Sequence, residues 1–163
     1  MANFSAPVLQ AAVTTAFKTA GFLYVGGVKT PAARAQLYEI EMGHTAAYAS
    51  TDAPVQWDLS RAATPTLAGT TVAANLLDLG DYIAGTLFIQ NATAEPTYTT
   101  AGLGLQVKQW GLNQRGFNRW RALDDGDNIL LPATAGVGIG LRCVSIASGF
   151  TGSAIGAMAF QER

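Results

Sequence analysis

The residues most able to bind a ligand lie between positions 108 and 121. This stretch interleaves four basic side chains with three aromatic ones and contains no acid: Lys108, Trp110, Arg115, Phe117, Arg119, Trp120 and Arg121. Aromatic rings can stack on bases while cations neutralise phosphates, so the pattern could bind single-stranded nucleic acid. Arginine and tryptophan are also enriched at the energetic centres of protein interfaces. The net charge of −1 and the acids that follow this stretch favour a protein interface and predict no direct nucleic-acid partner.

Catalytic chemistry is not predicted. A serine or cysteine nucleophile needs a base beside it, usually a histidine. His44 is the only histidine, and it lies in a predicted loop far in sequence from Cys143 and Ser153. The chain also lacks the Gly-x-Ser-x-Gly elbow of the α/β-hydrolases. We therefore predict a non-enzymatic protein in which His44 is an ordinary loop residue and Cys143 a small core residue.

Metal and cofactor sites are not predicted either. One histidine with one cysteine cannot form the usual zinc sets. The acidic turn at 124–128 lacks the ligand spacing and the later glutamate of a calcium loop. Glycines within 136–140 lie in a strand pattern, without the Lys-Ser/Thr of a phosphate-binding loop. Glu39 and Glu41 share an outward strand face, where solvation is the default interpretation and sugar hydrolysis the alternative.

The composition suits one domain that lives in contact with other protein. Hydrophobic residues make up 49% of the 163-residue chain, which is long enough to bury a core. Charged residues make up only 13%, and a protein that is alone in solution usually carries more charge. No run of 18 apolar residues occurs, so no membrane partner is predicted.

The element pattern predicts an all-β fold. About eight short strands recur at intervals of roughly 8 to 15 residues, with no long amphipathic helix, as in an antiparallel β-sandwich or jelly roll. Residues 1–30 form an N-terminal arm (1–12) and a first extended segment (within 14–25), and residues 31–163 form the sandwich domain. The open alternatives for the arm are helix, strand and disorder.

Alternation assigns the faces of three strands. Over 33–42, the side chains of Tyr38, Ile40 and Met42 should point inward, opposite Leu37 and the two glutamates. In the next strand three apolar residues should point inward and three polar residues should face water: Val55, Trp57 and Leu59 against Gln56, Asp58 and Ser60. In the strand at 137–143, the predicted inward residues are Val137, Ile139, Leu141 and Cys143.

The central stretch is predicted as a long strand, a hairpin and a short buried strand. One unbroken strand over 108–122 would place the three arginines and Phe117 on one face, and Trp110, Leu112 and Trp120 on the other. Gly116 could mark a bulge that reverses this register. Asp-Gly within 124–128 indicates the hairpin turn, with Gly126 at positive φ. We expect the arginines to pair with Glu39, Glu41 or Asp58 on neighbouring strands or subunits.

Several motifs, in this order, resemble the small jelly-roll decoration (cement) proteins of tailed-bacteriophage heads. They are the basic lead into Leu-Tyr-Glu-Ile at 33–40, Trp57–Arg61, Gly-Leu-Asn-Gln-Arg at 111–115, Arg119-Trp120, Ile-Leu-Leu-Pro-Ala at 129–133, and the run from Gly136 to Leu141-Arg142. The resemblance covers roughly residues 31–163.

The resemblance implies a homotrimer on the outer surface of the capsid, made in the host cytoplasm and bridging subunits of the major capsid protein. Such binding stabilises the assembled shell by mass action and needs no catalyst. The candidate interface residues are Phe4, Val8 and Leu9 of the arm, with Trp110, Arg115, Phe117, Arg119, Trp120 and Arg121. The alternative is a head-fibre or lectin-like module that binds host glycans, which exposed aromatics such as Tyr48 or Tyr98 at a loop tip would favour.

Overall fold

The computed structural model describes residues 2–25, 34–46, 52–64, 68–80, 84–98, 106–131, 134, 136–146, 150 and 152–162. Within these ranges the chain forms strands and no helix, so none that could cross a membrane. The sequence predictions that rest on Tyr48, Pro132 and Ala133 lie outside the described ranges.

The described residues form thirteen strands. They are β1 (Ala2–Gln10), β2 (Lys18–Val25), β3 (Ala35–Ala46), β4 (Pro54–Thr64), β5 (Ala68–Val72), β6 (Asn75–Leu76), β7 (Thr86–Ala94), β8 (Thr97–Tyr98), β9 (Gln106–Asn113), β10 (Asn118–Arg121), β11 (Ile129–Leu130), β12 (Gly138–Ser145) and β13 (Gly152–Glu162). Three of them are only two residues long, too short for any sequence periodicity to reveal. This explains part of the difference from the predicted eight.

The strands form two sheets that pack face to face. The front sheet has the order β10-β3-β13-β1-β6, with β11 also on β3; the back sheet has the order β5-β7-β2-β12-β4-β8, with β9 also on β4. Every pairing is antiparallel. The predicted all-β antiparallel sandwich is confirmed.

The core lies between the sheets and takes alternate residues from each strand. The front sheet contributes Phe4 and Phe160, whose rings stack with centroids 5.3 Å apart, and the back sheet contributes Trp57. The predicted inward residues of β4 (Val55, Trp57 and Leu59) and of β12 (Ile139, Leu141 and Cys143) are all fully buried. Alternation therefore assigned the inward faces of these two strands correctly.

The N-terminal segment is extended, but it lies inside the front sheet. β1 pairs with β13 along its whole length and with β6 at Phe4 and Ser5. Its even-numbered residues are buried and its odd-numbered residues face outward. An arm that reaches away from the domain is therefore not what residues 2–10 form, because their apolar face completes the core.

A bulge in β3 reverses part of the predicted face pattern. Ala159 pairs with Glu39 and Phe160 with Leu37, so Tyr38 is an extra residue on β3. Leu37 is consequently buried with Ile40 and Met42, and Tyr38 lies on the outer side with Glu39. The predictions for Leu37 and Tyr38 were wrong for this reason, whereas those for Ile40 and Met42 are confirmed.

The central stretch is not one strand, because it crosses from one sheet to the other. β9 pairs with β4 in the back sheet and β10 pairs with β3 in the front sheet. Asn113 makes the intervening turn: its carbonyl accepts from the Gly116 N–H (2.7 Å) and its side chain from the Arg115 N–H (2.9 Å). The predicted grouping of side chains still holds on both sides of the turn. Arg115, Phe117 and the other two arginines are exposed, while Trp110, Leu112 and Trp120 are half-buried.

The acidic turn is not a hairpin. β10 and β11 both pair antiparallel with β3, so they run in the same direction along one edge of β3. Residues 122–128 form the loop that connects these two strands. The Asp124 carboxylate accepts from the Gly126 N–H (2.7 Å) and the Asp127 N–H (3.2 Å), which holds the loop without a positive φ at Gly126. The short strand beyond the loop is buried through Ile129 and Leu131, as predicted.

Candidate functional site

Several of the candidate residues lie together on the outer face of the front sheet, here called the front face. One cross-strand row is apolar: Leu9 pairs with Ile155, and Ile155 with Gly43. Phe117 lies directly over Gly43, where a Cβ atom would stand 3.2 Å from the Phe117 ring. The ring is 65% exposed, so it projects from one end of the face.

Ion pairs occupy the next two rows. Arg119 is hydrogen-bonded to Glu39 through Nε (2.8 Å) and Nη2 (2.7 Å), and its Nε lies 3.8 Å from Glu41. Arg121 Nε lies 3.7 Å from the second Glu39 oxygen. The predicted pairing of these two arginines with Glu39 and Glu41 is confirmed. Both guanidinium groups are more than half exposed, so the pairs themselves add little stability.

The floor beside these ion pairs is made of small side chains. Ser5, Ala157 and Ala159 line a shallow depression of about 350 Å³ between Leu77 on one side and the ion pairs on the other. Since none of these three side chains projects far, the backbone of β1 and β13 is open to close approach by another chain.

A larger cavity of about 450 Å³ lies at the end of the front face opposite Phe117. Its apolar walls are Tyr38, Leu77 and Leu123, and its acidic rim is Asp78, Asp124 and Asp125. Leu123 is 94% exposed and Leu77 58%. Burial, and then the Glu39 charge, raise the pKa of the Tyr38 hydroxyl, whereas Arg121 lowers it, so the phenol stays neutral in the cavity wall.

The structure separates the nine predicted interface residues into three groups. Leu9, Phe117, Arg119 and Arg121 lie together on the front face, and Arg115 lies exposed in the turn two residues before Phe117. Trp110 and Trp120 are half-buried and pack against the core. Phe4 and Val8 are buried within the core, so they cannot grip a capsid as residues of a free arm. Deleting residues 2–12 would remove a strand of the sandwich along with any contact.

The two tryptophans close the side of the sandwich at which the central stretch changes sheet. Trp110 is the register partner of Trp57, and the Lys108 ammonium lies 4.9 Å from the centre of the Trp120 ring. This cation–π contact links β9 to β10 across the two sheets. Trp110 and Trp120 therefore have mainly a packing role.

The outer face of the back sheet, here called the back face, holds a buried polar cluster that the sequence did not indicate. Arg142 forms two parallel hydrogen bonds with Asp58 (2.8 and 2.6 Å) and one with Ser60 (3.1 Å). Its guanidinium also lies over the Phe17 and Tyr98 rings, 4.6 and 4.2 Å from their centres. Asp58 and Ser60 are thus buried rather than wet, because aromatic residues cover this side of β4.

Tyr98 connects Arg142 to the rest of the cluster. Its hydroxyl is 2.5 Å from the Thr19 hydroxyl, and Glu95 accepts hydrogen bonds from the Thr19 N–H (3.0 Å) and hydroxyl (2.5 Å). Burial is the main reason that the pKa of Tyr98 is raised, so its ring stays neutral. Gly140 leaves the space that the Tyr98 hydroxyl fills. Tyr98 is therefore not an exposed loop-tip aromatic, and Tyr48 lies outside the described residues.

His44 lies in β3 and not in a loop. Its Nε2 atom accepts a hydrogen bond from the indole N–H of Trp57 (2.9 Å), and its ring packs edge-on against Phe150. Desolvation lowers the pKa of His44 to about 4 and, with the charges of Glu95 and Asp58, raises the pKa of Cys143 to about 12. Both groups are thus neutral near pH 7. No cluster that could hold a metal ion occurs in the ranges that the structure describes.

Sequence reasoning missed the acidic cavity. Its two exposed leucines lie in loops 46 positions apart, and only the pairing of β6 with β1 and of β10 with β3 brings them together. The one available signal was a leucine beside aspartate in each loop, at Leu77-Asp78 and Leu123-Asp124. Comparison of the chain with protein families, curated proteins and solved structures gives no match.

Proposed function

We propose that this protein is a non-enzymatic structural protein of the bacteriophage virion, a jelly-roll protein that decorates the capsid and stabilises it. It would assemble as a homotrimer on the outer surface and bridge subunits of the major capsid protein. The observation that carries this proposal is the front face, where exposed apolar side chains lie beside paired charges on a rigid sheet. Apolar groups exposed together on a folded domain are typical of a protein-binding surface.

The composition of the front face supports a protein partner over a nucleic acid. The two arginines that phosphates would need are already paired with Glu39 and Glu41. The acids at 78, 124 and 125 would repel a phosphate backbone at the other end of the face. The order of motifs from residue 33 to residue 142 supports a capsid as the assembly to which that partner belongs.

The test is binding to phage heads that lack the protein. Purified protein is mixed with such heads, and the bound fraction is measured by co-sedimentation, together with the temperature at which the heads rupture. We expect saturable binding at a fixed number of sites and a higher rupture temperature, because a ligand of the assembled state stabilises that state. Absence of binding, or binding without any change in rupture temperature, would contradict the cementing role.

Placement on the surface is tested on intact virions. A cysteine introduced at the exposed Leu87 should react with a maleimide that cannot enter the head. Cys143 is buried, and its thiol has a raised pKa, so the unmodified chain is the low-background control. Labelling only after the heads are broken would place the protein inside the shell.

A further inference from the structure

We propose that copies of this chain associate head to tail, with Phe117 of one copy inserted into the acidic cavity of the next. This inference rests on the proposed function, because it names the contact through which the proposed trimer forms. The two parts of the contact are called the knob, residues 114–117, and the socket, the cavity walled by Tyr38, Leu77 and Leu123.

The knob has the features of an interface anchor. Phe117 is the most exposed aromatic ring among the large exposed hydrophobic residues of the structure as described. The Asn113 turn fixes its backbone, and the ring rests on Gly43, so little conformational entropy remains to be lost on binding. Arg115 brings a positive charge to the same turn, and residues 114–117 contain no acid.

The socket complements the knob in shape and charge. Its volume of about 450 Å³ is in the range of cavities that enclose small organic groups. Tyr38 and the two exposed leucines offer apolar contacts for a ring, in an open depression that is also lined by the polar side chains of Asn3, Asn128 and Gln161. The three aspartates on the rim outnumber the one base there, Arg121, so a knob that carries Arg115 meets a charge of opposite sign.

A knob cannot enter the socket of its own chain. Phe117 lies in the row of Leu9, whereas the socket begins at Asn3, six residues along the same strand. At about 3.3 Å per residue the two parts are roughly 20 Å apart on one rigid sheet. The contact therefore joins two copies of the chain. In the proposed trimer it is heterologous: each copy gives a knob to one neighbour and a socket to another, and three such contacts close the ring.

The test uses one variant of each part. Phe117→Ala removes the knob, and Leu123→Lys places a charge in the socket at a side chain exposed enough for the fold to tolerate it. By sedimentation velocity and light scattering, we expect each variant to raise the dissociation constant of self-association at least about tenfold. Leu87→Lys, an exposed leucine on the back sheet, is the matched control and should leave association unchanged.

Mixing the two variants gives the decisive measurement. Phe117→Ala keeps an intact socket and Leu123→Lys keeps an intact knob, so an equimolar mixture should form one-to-one heterodimers that neither variant forms alone. These dimers should not grow, because their remaining knob and socket are both defective. A mixture without heterodimers, a Phe117→Ala variant that associates like the wild type, or a wild-type chain that is monomeric at every concentration would overturn the proposal.

The outcome is separable from that of the capsid experiment. Self-association is measured without heads, so an oligomer that loses association in both variants but never binds heads would support the contact and remove the cementing role. If both variants associate like the wild type and still bind and stabilise heads, the cementing role is supported and the knob–socket contact is removed. Circular dichroism and thermal unfolding of both variants confirm that the sandwich is intact before either result is interpreted.

Discussion

The two outer faces of the sandwich use the same residue types in opposite ways. The front face holds Arg119 and Arg121 beside glutamates, with both arginines more than half exposed. The back face holds Arg142 beside Asp58, with side chains 17% and 3% exposed, enclosed by Phe17 and Tyr98. Burial decides the difference, because water screens the front pairs, whereas removal of one partner on the back face leaves a charge that water solvates only poorly.

This contrast indicates that the back face mainly stabilises the fold, whereas the front face is available for contact with other chains. The polar cluster on the back face is complete within one chain, since Arg142, Tyr98 and Thr19 all have partners inside the fold. The front face has ion pairs open to solvent, a floor of small residues and apolar side chains at both ends. We expect substitutions on the back face to affect folding, and substitutions on the front face to affect association.

The largest expected effect is that of Asp58→Ala. It leaves the Arg142 guanidinium without its two-bond partner in a covered site, which typically costs about 3–5 kcal/mol of unfolding free energy. Urea denaturation measures this cost, provided that the slope m is unchanged. A loss below about 1 kcal/mol would mean that the back face is hydrated after all.

A second comparison is available between Trp120 of β10 and Phe117, which lies just before that strand. Trp120 packs against the core under Lys108, so Trp120→Ala should cost about 2–3 kcal/mol, slightly less than a fully buried tryptophan because the ring is only half-buried. Phe117→Ala, on the outer side, should cost less than about 1 kcal/mol. Equal losses in thermal or urea unfolding would show that the two rings do not have separate roles.

His44 gives a pH-dependent measure of the junction between the sheets, since it lies in β3 and accepts a hydrogen bond from Trp57 in β4. The folded ring has a pKa of about 4 against an ordinary value of 6.5, so the unfolded chain binds more protons between these values. The contribution of neutral His44 to the free energy of unfolding is therefore fully present above pH 6.5, and it is lost as the pH falls toward 4. The effect should be modest, because the ring is only half-buried.

Unfolding of the wild type and of His44→Gln at pH 7.5 and pH 4.5 would measure this contribution. Glutamine can still accept the Trp57 hydrogen bond but does not titrate, so the difference between the two pH values should shrink in the variant. If both proteins lose the same unfolding free energy between pH 7.5 and pH 4.5, groups other than His44 cause the acid-induced destabilisation.

Arg119→Ala should have the smallest effect on folding. Its pairs with Glu39 and Glu41 lie in water on one side, so their loss should cost less than about 1 kcal/mol and should shrink further in high salt. Urea denaturation at low and high ionic strength provides the measurement. A cost comparable to that of Asp58→Ala would remove the distinction between the two faces.

The sequence predicted what depends on alternation along one strand. Val55, Trp57 and Leu59 share a face because successive side chains of a strand point to opposite sides, and a purely local rule suffices. Phe117 and the three arginines were assigned to one face, opposite Trp110 and Trp120, by the same rule. The two-sheet sandwich followed from the number and spacing of such segments.

The features that the sequence did not predict depend on partners distant in the chain. The bulge at Tyr38 is visible only against β13, because it is defined by the skipped residue between Glu39 and Leu37. Burial of Asp58 depends on Tyr98 and Phe17, and β1 joins the sheet through a strand near the other end of the sequence. The socket required two loops to meet across three strands.

The position of β13 between β3 and β1 also determines when the front sheet can form during synthesis. Ala2 pairs with Glu162, and Gln10 with Ala154, so the first strand must wait for about 144 further residues before its main partner exists. At ribosomal rates of about 5–20 residues per second, this delay is roughly 7–30 s. Throughout that interval the edges of β1 and β3 that β13 will occupy are open to other chains. The back sheet, whose strands end at Ser145, can therefore be completed before the front sheet.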